Sequence, residues 1–91
     1  MIQLVKLAPI WVKQTDFEYA MKNKEKAFKK LLDRIINPYF LSGIMRYMEK
    51  GETISIIHYD FFVNDCNPRA GIFDANTVIE LEIGFTADVF K

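Results

Sequence analysis

Residues 16–36 place Phe17, Ala20, Met21, Phe28, Leu31, Leu32 and Ile35 three and four positions apart, with Lys22, Lys26, Lys29 and Lys30 on the opposite side. That spacing suits an amphipathic helix and no strand. Thr15-Asp16-Phe17-Glu18 stands before it with the form of a capping box, Thr15 as N-cap and Glu18 three residues on. Asn37-Pro38 ends or sharply kinks the helix, because proline lacks an N–H and disfavours helical dihedrals in the residue before it. The same dipeptide starts a second helix, with Asn37 as N-cap and Pro38 at the first position. Phe40, Ile44, Tyr47 and Met48 give that helix its apolar side, and Glu49-Lys50-Gly51 closes it with glycine near C′.

The helical stripe needs an apolar surface to cover, and the flanking segments supply one. Residues 2–13 read as a strand apolar on both faces, with Ile2, Leu4, Ala8, Ile10 and Val12 on one side and Val5, Leu7 and Trp11 on the other. Pro9 cannot donate to a ladder, which implies an edge position or a bulge. Thr53 to Val63 reads as a second strand, with Ile54, Ile56, His58, Asp60 and Phe62 on one face and Ile57, Tyr59, Phe61 and Val63 on the other. Residues 64–71 are dense in turn formers and read as a loop. Ile72-Phe73 adds a short strand. The final segment alternates, with Ile79, Leu81, Ile83, Phe85, Ala87 and Val89 inward and Glu80, Glu82, Thr86 and Asp88 outward.

The order β-α-α-β-β predicts an α+β fold: a small, mostly antiparallel sheet of three to four strands with two helices packed on one face. Ninety-one residues at 51% hydrophobic and 14% aromatic fit one globular domain over residues 1–91. One helical layer covers one face, so the apolar residues of the other face are expected to meet a partner. Val5, Leu7, Trp11, Ile57 and Phe61 are the expected protein interface, serving a homodimer or a macromolecular protein target.

Charge and cysteine usage narrow the function classes. Twelve basic and twelve acidic residues cancel, leaving no global field to gather nucleic acid or anionic lipid. The single Cys66 makes no intramolecular disulfide, which suits a reducing, cytoplasmic setting. The apolar start is interrupted by Lys6 and Pro9, has no basic region before it and is too short to span a membrane. No membrane partner is expected.

Three constellations bear on chemistry. Residues 22–34 carry six basic groups against Glu25 and Asp33, a local excess of +4. A nucleic-acid-binding regulator would use Lys22, Lys26, Lys29 and Lys30 for phosphates. The plainer alternative is a solvated face with Glu18–Lys22 and Glu25–Lys29 pairs. His58, Asp60, Glu80 and Glu82 would form a metal site of a metal-dependent hydrolase if their strands were neighbours in register, since residues i and i+2 share a face. Cys66 with His58, and Asp60, Asn64 or Asn67 as orienting group, has the residue types of a thiol nucleophile. There is no Gly-rich phosphate loop, no G-x-S-x-G and no C-x-x-C pair. No cofactor is expected. The reading is a small, non-enzymatic binding module that self-associates and captures a macromolecular target, of the inhibitor, immunity or assembly-factor type.

Overall fold

The computed structural model describes residues 1–43 and 45–86. The chain runs β1 (Leu4–Trp11), α1 (Gln14–Lys22), α2 (Lys24–Leu31), a π-helical turn (Leu32–Ile36), α3 (Asn37–Leu41), β2 (Arg46–Glu49), β3 (Thr53–Ile56), β4 (Tyr59–Asn67), β5 (Ala70–Phe73), β6 (Val78–Leu81) and β7 (Phe85–Thr86). It is an α+β fold, with a helical layer on one face of a mixed sheet. The main sheet has the order β3-β4-β1-β6, with β7 also pairing with β1, and β2 and β5 form a separate two-stranded ribbon. The larger strand count than expected has three sources. Residues 46–49 are extended where a helix was expected, the Thr53–Val63 segment folds back on itself, and the final segment is divided into β6 and β7.

The first helix does not use its capping box. Lys13 takes the N-cap position in extended conformation and no side chain caps the helix; the Phe17 N–H, bonded to the Lys13 carbonyl at 3.2 Å, makes the first helical bond. Thr15 therefore lies inside the first turn. The helix breaks at Asn23 (φ −126°, ψ 47°), whose backbone N–H and side-chain amide both donate to the Tyr19 carbonyl. Beyond Leu31 the ladder widens, and Asn37 N–H bonds Leu32 C=O five residues back. This extra residue lets the chain pass through Asn37-Pro38 in helical conformation, where a strict α-helix would be broken. Ile44, expected on the second helix, lies outside the described residues, and Tyr47 and Met48 belong to β2. Gly51 (φ 93°) makes the turn into β3.

β1 is interior, flanked by β4 antiparallel and by β6 and β7 parallel. Its pairing with β6 stops at Leu7 and resumes with β7 at Ile10, so Pro9 falls in the interruption. A register shift between Lys6 and Leu7 leaves Asn64 of β4 as the extra residue of a bulge. The segment read as one strand is a hairpin: Ile56 pairs with Tyr59 and Ile54 with Phe61 across a two-residue turn at Ile57-His58. Pairing puts opposed residues on one face, so Ile54, Ile56, Phe61 and Val63 all point the same way. Residues 64–67 continue β4, and a cis Asn67–Pro68 peptide leads into β5.

That shared face, with Val5 and Leu7, packs against Leu31, Ile36 and Phe40 of the helical layer, and Met48 and Phe73 of the ribbon join the same core. Phe40 and Phe73 meet edge to face at 4.8 Å between centroids. Val5, Leu7 and Phe61 are fully buried here. The expected protein interface is corrected at these three positions: they lie on the face the helices cover. Both faces of β1 are apolar in sequence, and the unrecognised turn at Ile57-His58 inverted the face assignment. The outward face of the sheet holds Leu4, Ile10 and Phe62, with Phe62 and Phe85 rings 6.0 Å apart, among exposed Thr53, Ser55, Asp60 and Asn64. Ile83, expected inward, is exposed between β6 and β7. Ala87, Asp88 and Val89 lie outside the described residues.

Candidate functional site

Odd-numbered residues of β1 face the helices, and at one end of the sheet Trp11, at the last position of β1, and Tyr59, at the first position of β4, line a gap between sheet and helical layer. Opposite them, Ala27, Leu31 and Ile35 recur at four-residue intervals along the helical wall, with Lys30 and Arg34 beside them. Asp16 and Tyr19 of α1 complete a groove of about 340 Å³. This lies at the lower end of the roughly 300–1,000 Å³ range of ligand clefts, which are mostly apolar with a few placed polar groups. The cleft on the other side of Trp11, against Phe17, Met21 and Phe28, holds about 20 Å³, room for a single water.

The rim of the groove is basic. Lys30 and Arg34 are one helical turn apart and exposed, and neither is ion-paired among the described residues, where Lys50 and Asp65 make a pair at 3.8 Å. The Glu18–Lys22 and Glu25–Lys29 pairs of the solvated-face alternative do not close to ion-pairing distance. Lys22, Lys26 and Lys29 are exposed beside Lys30, while the Lys24 ammonium sits 5.7 Å from the centre of the Phe28 ring. Of the expected interface, Trp11 lines the groove, and Ile57 is exposed in the turn two residues before Tyr59. Tyr19, Tyr59, Lys30 and Arg34 complete the same groove, and sequence reading missed their convergence. The i, i+4 spacing of Lys30 and Arg34 next to Leu31 and Ile35 was visible, but Tyr59 joins them only through the hairpin.

The metal site of the hydrolase alternative does not form. β1 lies between β4, which carries Asp60, and β6, which carries Glu80. Asp60 pairs with Ile10 and Glu80 with Lys6, so they are separated along the strands as well as across them. His58 sits in the hairpin turn, Ser55 Oγ donates to Asp60 at 2.5 Å, and Glu82 accepts from Asn64 Nδ2 at 2.9 Å. Among the described residues no three His, Cys, Asp or Glu side chains come together to hold a metal ion. The thiol-nucleophile arrangement fails for a similar reason. Cys66 and His58 lie toward opposite ends of β4, roughly 25 Å apart at about 3.3 Å per residue. Cys66 is buried, with its Sγ–H donated to the Arg69 carbonyl. Burial, helped by the Asp65 carboxylate, pushes this thiol above its ordinary value, away from the thiolate a nucleophile needs.

No family model, curated protein or solved structure matches the chain. Among the described residues no helix is long and apolar enough to cross a membrane.

Proposed function

We propose that the protein works as a non-enzymatic assembly module, in a cytoplasmic setting, that receives a segment of a protein partner in the groove between Trp11, Tyr59 and the Leu31–Ile35 wall. The observation that carries this reading is the combination of an apolar, aromatic floor with a basic rim, Lys30 and Arg34, that has no ion-pair partner among the described residues. Trp and Tyr supply large rigid contact area at little conformational cost, and an Arg guanidinium offers a fork that matches a carboxylate. The partner segment is accordingly an apolar or aromatic side chain with a carboxylate beside it. Asp16 on the α1 wall disfavours a polyanion running the length of the groove.

The test is affinity capture from native lysate with the wild-type chain and with Lys30→Glu/Arg34→Glu, each with and without nuclease. The reading expects a protein partner that survives nuclease and is lost with the double variant. Equal capture by both baits contradicts it.

A second reading is supported by the same aromatics, because base stacking on Trp11, Tyr19 or Tyr59 beside Lys22, Lys26, Lys29 and Lys30 has the composition of a single-strand binding surface. It requires nuclease-sensitive capture and a salt slope that flattens when those four lysines are replaced by Gln.

A further inference from the structure

We propose that Arg46 closes the open edge of the main sheet, and that without its guanidinium two copies of this chain join edge to edge through β3. The proposal goes beyond the groove and does not depend on how the groove is read.

β3 is the outer strand on one side of the main sheet, with β4 as its neighbour. In an antiparallel pair, opposed residues alternate between exchanging backbone hydrogen bonds and pointing those groups away from each other. Both ends of this hairpin fix the phase. Ile56 and Tyr59 flank a two-residue turn, which makes them a bonded pair. At the other end the Val63 N–H donates to the Glu52 carbonyl at 2.8 Å. Counting by twos from either end, Ile54 and Phe61 are bonded as well. Thr53 and Ser55 are therefore the residues whose N–H and C=O groups point out of the sheet, away from β4.

That edge is self-complementary. Thr53 and Ser55 stand on either side of Ile54, so two β3 strands set antiparallel about a two-fold axis at Ile54 place each Thr53 opposite the other copy's Ser55. Four backbone hydrogen bonds would then form. Both residues are exposed, and neither is a proline or carries a charge that would keep a second strand away. Edges of this kind pair between copies unless something blocks them.

Arg46 supplies the block. Its Nη1 donates to the Ser55 carbonyl at 3.1 Å, taking an acceptor that a second strand needs. The residue belongs to β2 of the separate two-stranded ribbon, so the contact reaches from one sheet to the rim of the other. Arginine suits carboxylate and phosphate, yet among the described residues Arg46 makes no ion pair; its guanidinium is held on a strand carbonyl. In the two-fold pairing, the guanidinium groups of both copies would also lie along one seam, where like charges repel.

Three variants test the proposal: Arg46→Met, which keeps the aliphatic stem and removes the donors, Arg46→Lys, which keeps a donor and the charge, and Arg46→Met/Ser55→Pro. The Ser55→Pro change removes an N–H that makes no bond to β4, and an edge strand tolerates it. Thermal melting establishes that each variant folds, and Arg46→Ala carries the same test if Arg46→Met does not. In light scattering, Arg46→Lys is expected to keep the wild-type mass, Arg46→Met to approach twice that mass as concentration rises, and the double variant to return to the wild-type value. Residue-resolved amide exchange reports the contact itself: the Thr53 and Ser55 amides are expected to exchange at least tenfold more slowly in associated Arg46→Met than in wild type. A folded Arg46→Met that keeps the wild-type mass up to millimolar concentration overturns the proposal. So does association that leaves both amides exchanging as in wild type, or that survives the Ser55→Pro change. Protection of both amides in the wild type itself also overturns it, because the edge would then be paired with Arg46 in place.

Discussion

Gly84 packs directly on the backbone of Pro9: a Cβ at position 84 would overlap the Pro9 carbonyl oxygen and lie 3.0 Å from Trp11 Nε1. The glycine sits where the chain crosses from β6 to β7, and this close approach fills the interruption in the ladder along β1. It also backs the indole that lines the groove. Gly84→Ala must push one of these groups aside. Overpacking of this kind costs about 1–3 kcal/mol, and a chain of this size loses roughly 4–8 °C of melting temperature per kcal/mol. A melting temperature within a degree of wild type would refute the packing described for this crossing.

Ile57 holds a positive φ of 59° in the turn between β3 and β4, a region that costs an L-residue roughly 1–2 kcal/mol. Its side chain is more than half exposed, so little burial offsets the strain. Ile57→Gly is expected to raise stability, by about 1 kcal/mol or less after the entropy cost of glycine. Urea unfolding measures it, and a lower midpoint would show that the Ile57 side chain makes contacts the turn needs.

Thr77 is buried and its hydroxyl does two things: it donates to the Ile2 carbonyl at 2.8 Å and accepts the Asp74 N–H at 3.1 Å. It ties the start of β6 to the start of the chain. Thr77→Val keeps the shape and leaves both backbone groups without this partner, at a cost of about 1–3 kcal/mol. Denaturant unfolding that shows no loss would mean that water or another group takes over both bonds.

Cys66 supplies a pH prediction. Its thiol is raised in the folded chain by burial, with the Asp65 carboxylate adding to the effect, so the native state holds the proton to higher pH than the unfolded state. The resulting stability is fully present below the thiol's ordinary unfolded value and is lost as pH rises through the folded value. Iodoacetamide is therefore expected to label Cys66 at least tenfold more slowly in native protein than in denaturant at pH 8. Equal rates would place the thiol in solvent.

Reading by sequence recovers much of this fold and misplaces its faces. The strand at residues 4–11 and the helical spacing from Phe17 to Ile35 were visible because period 2 and period 3.6 are written in single side chains. The expected capping box at Thr15 gave way to an earlier start at Gln14, and the proline at position 38 was accommodated by one wide helical turn. Neither outcome has a signature in local composition. The largest miss came from Ile57-His58, a two-residue turn without the glycine or asparagine that usually marks one. Without it, Thr53–Val63 reads as one strand, and Phe61 falls on the wrong face together with Val5 and Leu7. Trp11, expected at a protein interface, lines the groove. Tyr59, Lys30 and Arg34 join it through tertiary contacts between segments far apart in the chain.

Trp11 is the sole tryptophan and lines the groove, so its emission reports groove occupancy without labelling. The most direct measurement is Trp11 emission and acrylamide quenching during titration with a tryptophan-free peptide that carries an aromatic or aliphatic side chain beside a carboxylate, at low and high salt, for wild type and for Lys30→Glu/Arg34→Glu. A blue shift and reduced quenching are expected in wild type, reversed by salt and absent from the double variant. Emission and quenching that stay constant through the titration, or that change equally in both proteins, would contradict the groove as a protein-binding site.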